Sequence, residues 1–356
     1  MDKFKEMKKF GHEQLVFIHD KTSGLKGVIC IHDTTLGPAL GGTRIWDYKN
    51  EDEAVYDVMR LARGMTYKNS AAGLNLGGGK AVIIGDASKI KSETLFRAFG
   101  RYVQSLNGRY ITAEDVNTTT KDMDFVKMET DFVVGLEGKS GDPSPITALG
   151  AFHGIRATLQ YKFKNEEIGK YSYAIQGVGK TGFYLMDYLI EAGAKKIYFT
   201  DINKTKVAAV KTKYPDAIYV EPDAIYSQDV DVFVPCALGG ILNDKTIPLL
   251  KAKAVAGVAN NVLEDEIAHS KLLKERKILY APDFVINAGG VINVYHELHG
   301  YNKENVLNDI KKIYDRLLEI FKISDLENTD TQSAANIFAE QRIKQIHNVR
   351  GNYIIK

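Results

Sequence analysis

The feature that most constrains the fold is a succession of strand, loop, helix and strand in the middle of the chain. Residues 171–176 form an apolar strand-like run, the sequence GVGKTG follows at 177–182, and a helix and a second strand at 196–200 lead to Asp201. Glycines in such a loop allow a tight turn and the close approach of a pyrophosphate, which the free N–H groups of the helix can bind. The acid at the end of the second strand can accept hydrogen bonds from a ribose. The pattern therefore predicts a doubly wound α/β domain that binds a dinucleotide.

The charge of Asp201 favours NAD over NADP, because a carboxylate repels the 2′-phosphate of NADP. Lys204 and Lys206 follow closely in the sequence and leave NADP open as an alternative. A protein that binds NAD only as a sensor would carry the same fingerprint. This region alone therefore does not establish an enzyme.

A second informative segment, RGMTYKNSAAGLNLGGGKAV at 63–82, carries two lysines twelve residues apart. Lys80 follows three consecutive glycines, which let the backbone pack closely around it and desolvate it. Desolvation disfavours an ammonium, so Lys80 suits a general base, whereas a solvated Lys68 remains a cation. The segment is not a phosphate-binding loop, since Leu74 and Ala81 stand where that motif needs glycine and Ser or Thr. We therefore expect a small anionic substrate, such as a carboxylate, beside a base.

The first half of the chain alternates between the patterns of strands and helices. Strands are predicted at 26–32, 80–85 and 110–112, and helices at 50–62, where Asn50 and Glu53 form a capping pair, and at 92–106. The last of these strands leads directly into Ala113, Glu114 and Asp115. Acidic residues at strand ends often lie at the mouth of a site in an α/β fold. We therefore expect Lys80 where a glycine loop enters a sheet, with Asp115 near a binding site.

A segment rich in Gly, Pro, Ser and Asp at 138–145 predicts a linker between domains. The chain has 356 residues, more than a single core usually holds, so about two domains are expected. After the linker a helix is predicted from near Thr147. Further strands are predicted at 231–235, 254–258 and 278–281, and a charged helical segment from about residue 328.

Composition excludes several classes of protein. The formal net charge of +2 supplies no excess of cations to bind a nucleic acid backbone. The N-terminal residues lack the apolar core of a secretory signal and no apolar stretch approaches the length of a membrane span, so a cytoplasmic protein without a membrane partner is expected. Cys30 and Cys236 form neither a disulfide framework nor a zinc pattern. His296 and His299 are one residue too close for the HExxH motif, so no metal site is expected.

The motifs taken together resemble the glutamate, leucine, phenylalanine and valine dehydrogenase family over almost the whole chain. The matching segments are, in order, LGGTRIW, RGMTYKNSAAGLNLGGGK, TAEDV, GVGKTG, PCALGG, GVANN and APDFVINAGGVINV. The leucine-specific bacterial members are the most similar. The resemblance implies an α/β fold with an N-terminal substrate-binding and oligomerisation domain, a Rossmann-type NAD domain and an active site in the cleft between them. It also implies NAD-dependent oxidative deamination of an L-amino acid to a 2-oxo acid and ammonia.

The resemblance assigns a role to several residues. Lys68 pairs with the substrate carboxylate, Lys80 is a general base that activates water, and Asp115 exchanges protons with the substrate amine. Asn261 orients nicotinamide and substrate. The other positions that contact substrate are Leu40, Gly41, Gly42, Met65, Ala113, Val291 and Val294. The positions that contact NAD are Thr147, Gly177, Val178, Gly179, Lys180, Thr181, Gly182, Asp201, Ile202, Cys236, Ala237, Ala259, Asn260, Asn261 and Asn287.

The resemblance also implies how the chain is divided and assembled. Residues 1–140 form the substrate domain, 146–327 the NAD domain, and 328–356 a helical segment that returns to the first domain. Relatives are homo-oligomers, so a homo-oligomer, octamer or dimer, is expected. The partners are the amino acid, its 2-oxo acid and ammonia.

The side-chain pocket favours branched aliphatic amino acids. Leu40, Ala113, Val291 and Val294 are small or medium aliphatic residues, and no charge is placed to meet an acidic side chain. Gly79 is typical of phenylalanine-specific members, since leucine-specific members usually have alanine there, so phenylalanine stays open as an alternative. An amine dehydrogenase is a further alternative, which Lys68 disfavours because an unpaired cation in a closed pocket is costly. Two departures from the leucine pattern are Tyr295 with His296 beyond the pocket and a shortened loop before Asp142.

Overall fold

The structure is a computed structural model that describes residues 1–350, and for Arg350 only the backbone. Residues 351–356 of the predicted C-terminal segment lie outside the described residues. The chain forms two compact units, each built from separate stretches. The first unit contains Met1–Gly141, Val294–Tyr301 and residues 339–350, and the second contains Asp142–Asn293 and Asn302–Phe338. The assignment of substrate binding and cofactor binding to the linear ranges 1–140, 146–327 and 328–356 stays a prediction.

The first unit is built on a six-stranded mixed sheet in which the glycine-rich strand is central. Its helices are α1 (Lys3–Phe10), α2 (Glu51–Ala71), α3 (Ala87–Ile90), α4 (Glu93–Ser105) and α5 (Thr120–Lys127). Its strands are β1 (Gln14–Asp20), β2 (Leu25–Asp33), β3 (Ala39–Leu40), β4 (Thr43–Trp46), β5 (Gly77–Ile84) and β6 (Tyr110–Ile111). The strand order is β1, β2, β5, β3, β6, and β4 also pairs with β5. β2 is antiparallel to β5, whereas β3 and β4 are parallel to it.

Helices cover both faces of this sheet. α2 packs over Val28, Cys30 and Val82, and α4 packs on the other face with Phe96 and Phe99 fully buried. Both helices begin as predicted, because Asn50 and Ser92 accept hydrogen bonds from N–H groups of their first turns. Such caps each stabilise a helix by about 1 kcal/mol.

Two predicted elements of the first unit differ from the structure by more than one residue at an end. α2 continues to Ala71, well past the predicted end at residue 62. Its last turns bury Thr66, Asn69 and Ser70 on the same face as Ala62, so small and polar residues replace the apolar pattern there. β5 begins at Gly77 rather than at Lys80, so the three glycines form a strand and not a loop.

The second unit has the predicted doubly wound fold. Its strands are β7 (Ser172–Gln176), β8 (Lys196–Thr200), β9 (Ile218–Tyr219), β10 (Val232–Pro235), β11 (Ala254–Val255) and β12 (Leu279–Tyr280). All neighbours are parallel in the order β12, β11, β10, β7, β8, β9. From β7, the strands β8 and β9 extend the sheet on one side, and β10, β11 and β12 extend it on the other. The strand order therefore switches direction between β7 and β10. In open α/β sheets ligands bind at the carboxyl ends of strands at such a switch point.

Helices connect these strands and continue to the C-terminal part. They are α6 (Ser144–Phe163), α7 (Lys180–Glu191), α8 (Lys204–Lys213), α9 (Glu266–Glu275), α10 (Asp283–Ile286), α11 (Gly289–Tyr295), α12 (Lys303–Leu326) and α13 (Thr331–Arg350). The predicted strand at 196–200 has the observed bounds, and α7 begins one residue before the predicted start at 181. The fold class predicted from the sequence is thus confirmed.

A buried histidine, His32, lies in β2, next to the glycine strand in the sheet of the first unit. The Nε2–H of His32 donates to the carbonyl of Phe10 at 2.9 Å, so Nδ1 accepts from the hydroxyl of Thr66 at 2.8 Å. Burial, with a smaller contribution from nearby His12, lowers the pKa of His32 from 6.5 to about 4. The folded protein therefore holds this imidazole neutral under conditions in which the unfolded chain would protonate it.

We expect the free energy of unfolding to fall as the pH is lowered from 6.5 towards 4. In this window the unfolded state binds the additional proton, so stability decreases by up to about 3 kcal/mol from His32. Denaturant titrations at a series of pH values measure the slope. His32→Gln removes this titration and should flatten the slope, although it lowers stability at neutral pH by disturbing two hydrogen bonds. A variant with the slope of the original protein would contradict the assignment.

Candidate active site

The glycines of β5 are required by packing on both faces of the strand. A Cβ at Gly78 would overlap the backbone N and the hydroxyl of Thr66 in α2. A Cβ at Gly79 would lie 2.8 Å from the ring of Tyr110 on the other face. Real Cβ atoms do not approach other atoms so closely, so the strand can lie against α2 only where side chains are missing. This close packing buries the residue that follows.

Lys80 is the first residue of β5 with a long side chain, and it is only 5% exposed. Its Nζ lies 3.0 Å from Oδ1 of Asp115, so the structure brings together the two residues predicted to be catalytic. Oδ2 of Asp115 accepts a hydrogen bond from Nε of Arg44 at 2.9 Å. The carboxylate therefore lies between two cations.

The position of Asp115 is fixed by β4. Residues Thr43 and Glu114 form a parallel bridge, which continues the sheet at this point. The backbone N–H of Asp115 donates to the hydroxyl of Thr118 at 2.8 Å, and that hydroxyl donates to the carbonyl of Thr43 at 2.9 Å. Asp115 is thus held by its backbone as well as by its carboxylate.

Burial and charge act in opposite directions on this pair. Burial is the largest influence on Lys80 and lowers its pKa, with repulsion from Arg44 adding to the effect and Asp115 opposing it. Burial alone would raise the pKa of Asp115, but Lys80 and Arg44 lower it to about 2. Asp115 is therefore a carboxylate at neutral pH, while the lysine is closer to losing its proton than a solvated lysine is.

The predicted glycine pair lies beside these residues. A Cβ at Gly41 would overlap the carbonyl oxygen of Gly79 and lie 3.1 Å from Cγ of Met65. A Cβ at Gly42 would lie 2.9 Å from Cβ of Asp115. The structure thus groups these two glycines with Asp115 and the glycine strand, and only glycine fits at either position.

The other substrate positions of the first unit lie on neighbouring elements. Leu40 is buried in β3, and Ala113 follows β6. Met65 and the partly exposed Lys68 lie three residues apart on α2, where side chains share a face. Val294 is partly exposed at the end of α11.

In the second unit the glycine loop joins β7 to α7 as predicted. Gly177 has φ 96°, a conformation that other residues rarely adopt, and a Cβ there would lie 2.7 Å from that of Ala237. Among the described residues no side chain caps α7, whose N-cap is Gly179. Its first N–H groups are therefore suited to bind an anion.

Asp201 is oriented towards this loop. Its Oδ2 accepts a hydrogen bond from the N–H of Val178 at 2.9 Å, and its Oδ1 accepts one from the N–H of Asn203 at 2.8 Å. Lys180 of the loop pairs with Asp142 at 3.0 Å. Exposed Ile202 follows Asp201 directly, and Thr181 and Gly182 are in the first turns of α7.

The remaining predicted cofactor positions lie around the ends of β10 and β11. Cys236 and Ala237 follow β10, and exposed Asn260 and Asn261 follow Ala259, with Asn261 at φ 50°. The side-chain amide of buried Asn287 donates to Oδ1 of Asn260 at 2.7 Å. Two other predicted residues, Thr147 and Val291, lie in α6 and α11. The ends of the central strands thus carry most of the predicted cofactor set.

Sequence reasoning missed Arg44 and the group behind it. Nη1 of Arg44 pairs with Oδ2 of Asp57 at 3.1 Å, and that oxygen also accepts a hydrogen bond from the hydroxyl of Tyr48 at 2.6 Å. The sequence did contain an indication of this group, since an arginine stands inside the apolar strand TRIW. A cation buried in a strand requires an anion as its partner. Tyr110 was also missed; its hydroxyl donates to the carbonyl of Gly41 at 2.6 Å.

Within residues 1–350 no group of three or more His, Cys, Asp or Glu side chains is arranged to hold a metal ion. No helix in the described part of the chain is long and apolar enough to cross a membrane.

The chain is an amino-acid dehydrogenase, as its similarity to known sequences and structures shows. The model of the Glu/Leu/Phe/Val dehydrogenase dimerisation domain matches residues 12–132, and that of Glutamate/Leucine/Phenylalanine/Valine dehydrogenase matches residues 198–351. The chain belongs to the Glu/Leu/Phe/Val dehydrogenase family. Enzymes of this family use NAD or NADP and interconvert amino acids and 2-oxo acids.

Individual relatives cover nearly the whole chain. Leucine dehydrogenase from Geobacillus stearothermophilus is 53% identical over 99% of this chain and 96% of its own length. Phenylalanine dehydrogenase from Lysinibacillus sphaericus is 51% identical over 94% of this chain and 89% of its own. The crystal structure of L-tryptophan dehydrogenase from Nostoc punctiforme matches with a TM-score of 0.86 and 47% identity, over 96% of this chain and 99% of that one. Relatives of similar identity thus act on different amino acids.

Proposed function

We propose that this protein catalyses the reversible, NAD-dependent oxidative deamination of leucine, valine or isoleucine to the 2-oxo acid and ammonia. The observation that carries the proposal is the buried contact of Lys80 with Asp115 beside Gly41 and Gly42. A lysine of lowered pKa next to a carboxylate suits proton transfer at an amino-bearing carbon.

In this proposal Lys80 works in its neutral form. It accepts a proton from the water that adds to the imino carbon, and its low exposure and lowered pKa support this role. Asp115 exchanges protons with the substrate amine. Both oxygens of this carboxylate are occupied, because Arg44 contacts Oδ2 and Lys80 contacts Oδ1. The exchange therefore requires Lys80 to release Oδ1 when the amine arrives. The lysine and the amine then compete for one oxygen.

Lys68 binds the substrate carboxylate in this proposal, and Gly41 and Gly42 line the substrate. The support is the location of Lys68 on the same helix as Met65, which contacts the Gly41 position. Asn261, in a left-handed conformation after β11, orients the substrate and the nicotinamide.

The residues of the second unit fit NAD. The glycine loop provides uncapped N–H groups for a pyrophosphate, and Asp201 is held by two backbone N–H groups in reach of the loop. The carboxylate at this point favours NAD, as its charge opposes a 2′-phosphate. When bound, NAD would accept the hydride from Cα of the amino acid. Thr147, Asn260 and Asn287 are among the residues that would hold it.

The choice of a branched aliphatic substrate rests on the pocket positions Leu40, Ala113, Val291 and Val294. Phenylalanine remains the second candidate, since Gly79 is typical of phenylalanine enzymes. However, alternate residues of a strand face opposite sides of a sheet, and the space beside Gly79 is filled by Tyr110 and Ala39. A missing methyl group there does not enlarge the space beside Lys80. We therefore propose the aliphatic substrate.

We also propose that the protein is a homo-oligomer. The matched dimerisation domain over residues 12–132 supports this. The strand β1 lies at the edge of the sheet with Phe17 54% exposed, and an exposed strand edge is a surface on which another chain can pair.

A panel of L-amino acids tests the substrate directly. We expect the full chain to reduce NAD⁺ fastest with leucine, valine or isoleucine, and NAD⁺ to be preferred to NADP⁺, as measured by the absorbance of the reduced cofactor. D-leucine and an aliphatic amine without a carboxylate serve as controls. Faster reduction with phenylalanine would replace the aliphatic assignment. A faster reaction with the amine would contradict the role of Lys68, and NAD binding without turnover would indicate a sensor.

A further inference from the structure

Arg44 connects the catalytic pair to a second carboxylate. Its Nε binds Oδ2 of Asp115 at 2.9 Å and its Nη1 binds Oδ2 of Asp57 at 3.1 Å. The three residues come from β4, from α2 and from the segment after β6, so they fix these elements relative to one another within the first unit. Arg44 is largely buried, with 19% of its side chain exposed.

The sheet register places Arg44 on the same face as Lys80. Arg44 pairs with Val82 across the parallel strands β4 and β5, and residues opposite each other share a face. Val82 and Lys80 are two residues apart and also share a face. Both cations therefore point towards α2, which carries Asp57.

Further groups surround this cluster on every element packed against it. Asp57 accepts hydrogen bonds from the hydroxyl of Tyr48 at 2.6 Å and from Arg60 at 3.1 Å. The titratable and charged groups that face Lys80 or Arg44 are Cys30 on β2, Tyr48 after β4, Asp57 on α2, and Asp115, while Arg60 pairs with Asp57 and Tyr110 lies on the opposite face of the sheet. The cations and anions alternate from Lys80 through Asp115 and Arg44 to Asp57.

We propose that Arg44 is a positioning residue that holds Asp115 by its Oδ2 and offsets the charge of that carboxylate, so that Lys80 can act as a neutral base. This inference rests on the proposed function and adds a residue to it. Asp115 has two oxygens, and Arg44 occupies one while Lys80 contacts the other. When Lys80 leaves Oδ1, the carboxylate of Asp115 is still paired with Arg44. A buried carboxylate without a partner would be costly in free energy. Asp57 and Tyr48 keep the guanidinium in place during this change.

Arg44 and Asp115 act on Lys80 in opposite directions. The positive charge of Arg44 repels the proton on Lys80, which lowers the pKa of the lysine. This repulsion offsets part of the attraction from Asp115, whose negative charge raises the pKa of the lysine. Removing the charge of Arg44 should therefore keep Lys80 protonated to higher pH.

Arg44→Gln tests this inference through the pH dependence of kcat/KM. We expect kcat/KM at neutral pH to fall about 10- to 100-fold, the rising limb of the profile to move to higher pH, and part of the activity to return in alkaline solution. Arg44→Lys retains the charge but cannot bridge two carboxylates as a guanidinium does. The pH profile of Arg44→Lys should therefore lie between those of the unaltered protein and Arg44→Gln. If Arg44→Gln only reduced the fraction of folded protein, kcat/KM would fall by the same factor at every pH and the rising limb would not move. An unshifted limb in Arg44→Gln would overturn the proposal.

A matched control is available on α4. Arg97 also bridges two carboxylates, with Nε 2.7 Å from Glu129 and Nη1 3.3 Å from Glu93, but it lies away from the site and is more exposed. Arg97→Gln should leave the pH profile unchanged, and an equal shift would show that the effect is not specific to Arg44. Should Arg44→Gln fail to fold, Arg44→Lys decides the question: a limb moved to higher pH supports the proposal and an unchanged limb contradicts it.

A second measurement separates this inference from the proposed function. Competitive acetylation with acetic anhydride over a range of pH, read by mass spectrometry of the peptide containing Lys80, follows the titration of that amine without turnover. Wild-type protein that oxidises no amino acid would reject the proposed function. If Lys80 nonetheless titrates at higher pH in Arg44→Gln, the electrostatic role of Arg44 is supported. Identical titration in both proteins would reject it, whatever the activity.

Discussion

Lys80→Ala is expected to reduce the rate of deamination by about 10²- to 10⁴-fold, because the substitution removes the general base. Steady-state assays with the preferred amino acid measure the loss. The fold should persist, since Arg44 still pairs with Asp115, and binding of NADH should also persist, because the dinucleotide residues lie in the second unit. In the unaltered protein the rising limb of kcat/KM against pH should report deprotonation of Lys80, together with any coupled ionisation.

Controls can separate loss of a base from general damage. Lys26→Ala removes a lysine of similar sequence context from β2, where it forms an exposed pair with Glu51, and should have normal activity. A small primary amine added to Lys80→Ala is expected to restore part of the rate by supplying a mobile base. Near-normal kcat and an unchanged pH profile in Lys80→Ala would exclude Lys80 as the base and make Asp115 the leading candidate.

Lys68→Ala is expected to raise KM sharply and to lower kcat/KM. Losing the cation opposite a buried carboxylate costs on the order of 2–4 kcal/mol, or roughly 30- to 1000-fold. The measurement is a comparison of kcat and KM for the preferred amino acid. Lys68→Arg retains the charge and should recover part of the affinity.

The substrate provides the best control for this prediction. An aliphatic amine that lacks the carboxylate cannot pair with Lys68, so any residual turnover of this amine should be unaffected by Lys68→Ala. Equal losses for the amine and the amino acid would mean that Lys68 supports the structure of the site rather than the carboxylate. Unchanged kinetics for both would remove Lys68 from the binding site.

The sequence predicted best what is local. The dinucleotide loop, its helix and the strand at 196–200 follow from residues close together in the chain, and their observed bounds agree within a residue. The end of α2 was predicted wrongly, because Gly64 and the polar residues after it interrupt the apolar pattern. Gly64 costs about 1 kcal/mol in a helix, and the helix continues because its small residues pack against the glycine strand.

What could not be predicted depends on pairs that are distant in the sequence. Arg44 lies 13 residues from Asp57 and 71 residues from Asp115, and no spacing rule links them. The motif TRIW places a charged residue in a strand, but the sequence does not indicate its partners. They follow from the register of β4 with β5, which places Arg44 opposite Val82 and on the face that carries Lys80. The role of the glycines was also partly misread: they were expected to form a loop, whereas they permit contact between a strand and a helix.

The first unit draws on three separate stretches of the chain, and this affects how its specificity could be transferred to another enzyme. The carboxylate of Glu297 accepts hydrogen bonds from the N–H groups of Gly135 and Ser140, and Ser70 donates to the carbonyl of Ala339. In a chimaera that exchanged only residues 1–141, one partner of each of these hydrogen bonds would come from a different protein. Recombination designed to move substrate preference between family members must therefore transfer Val294–Tyr301 and the chain from Ala339 together with the N-terminal stretch.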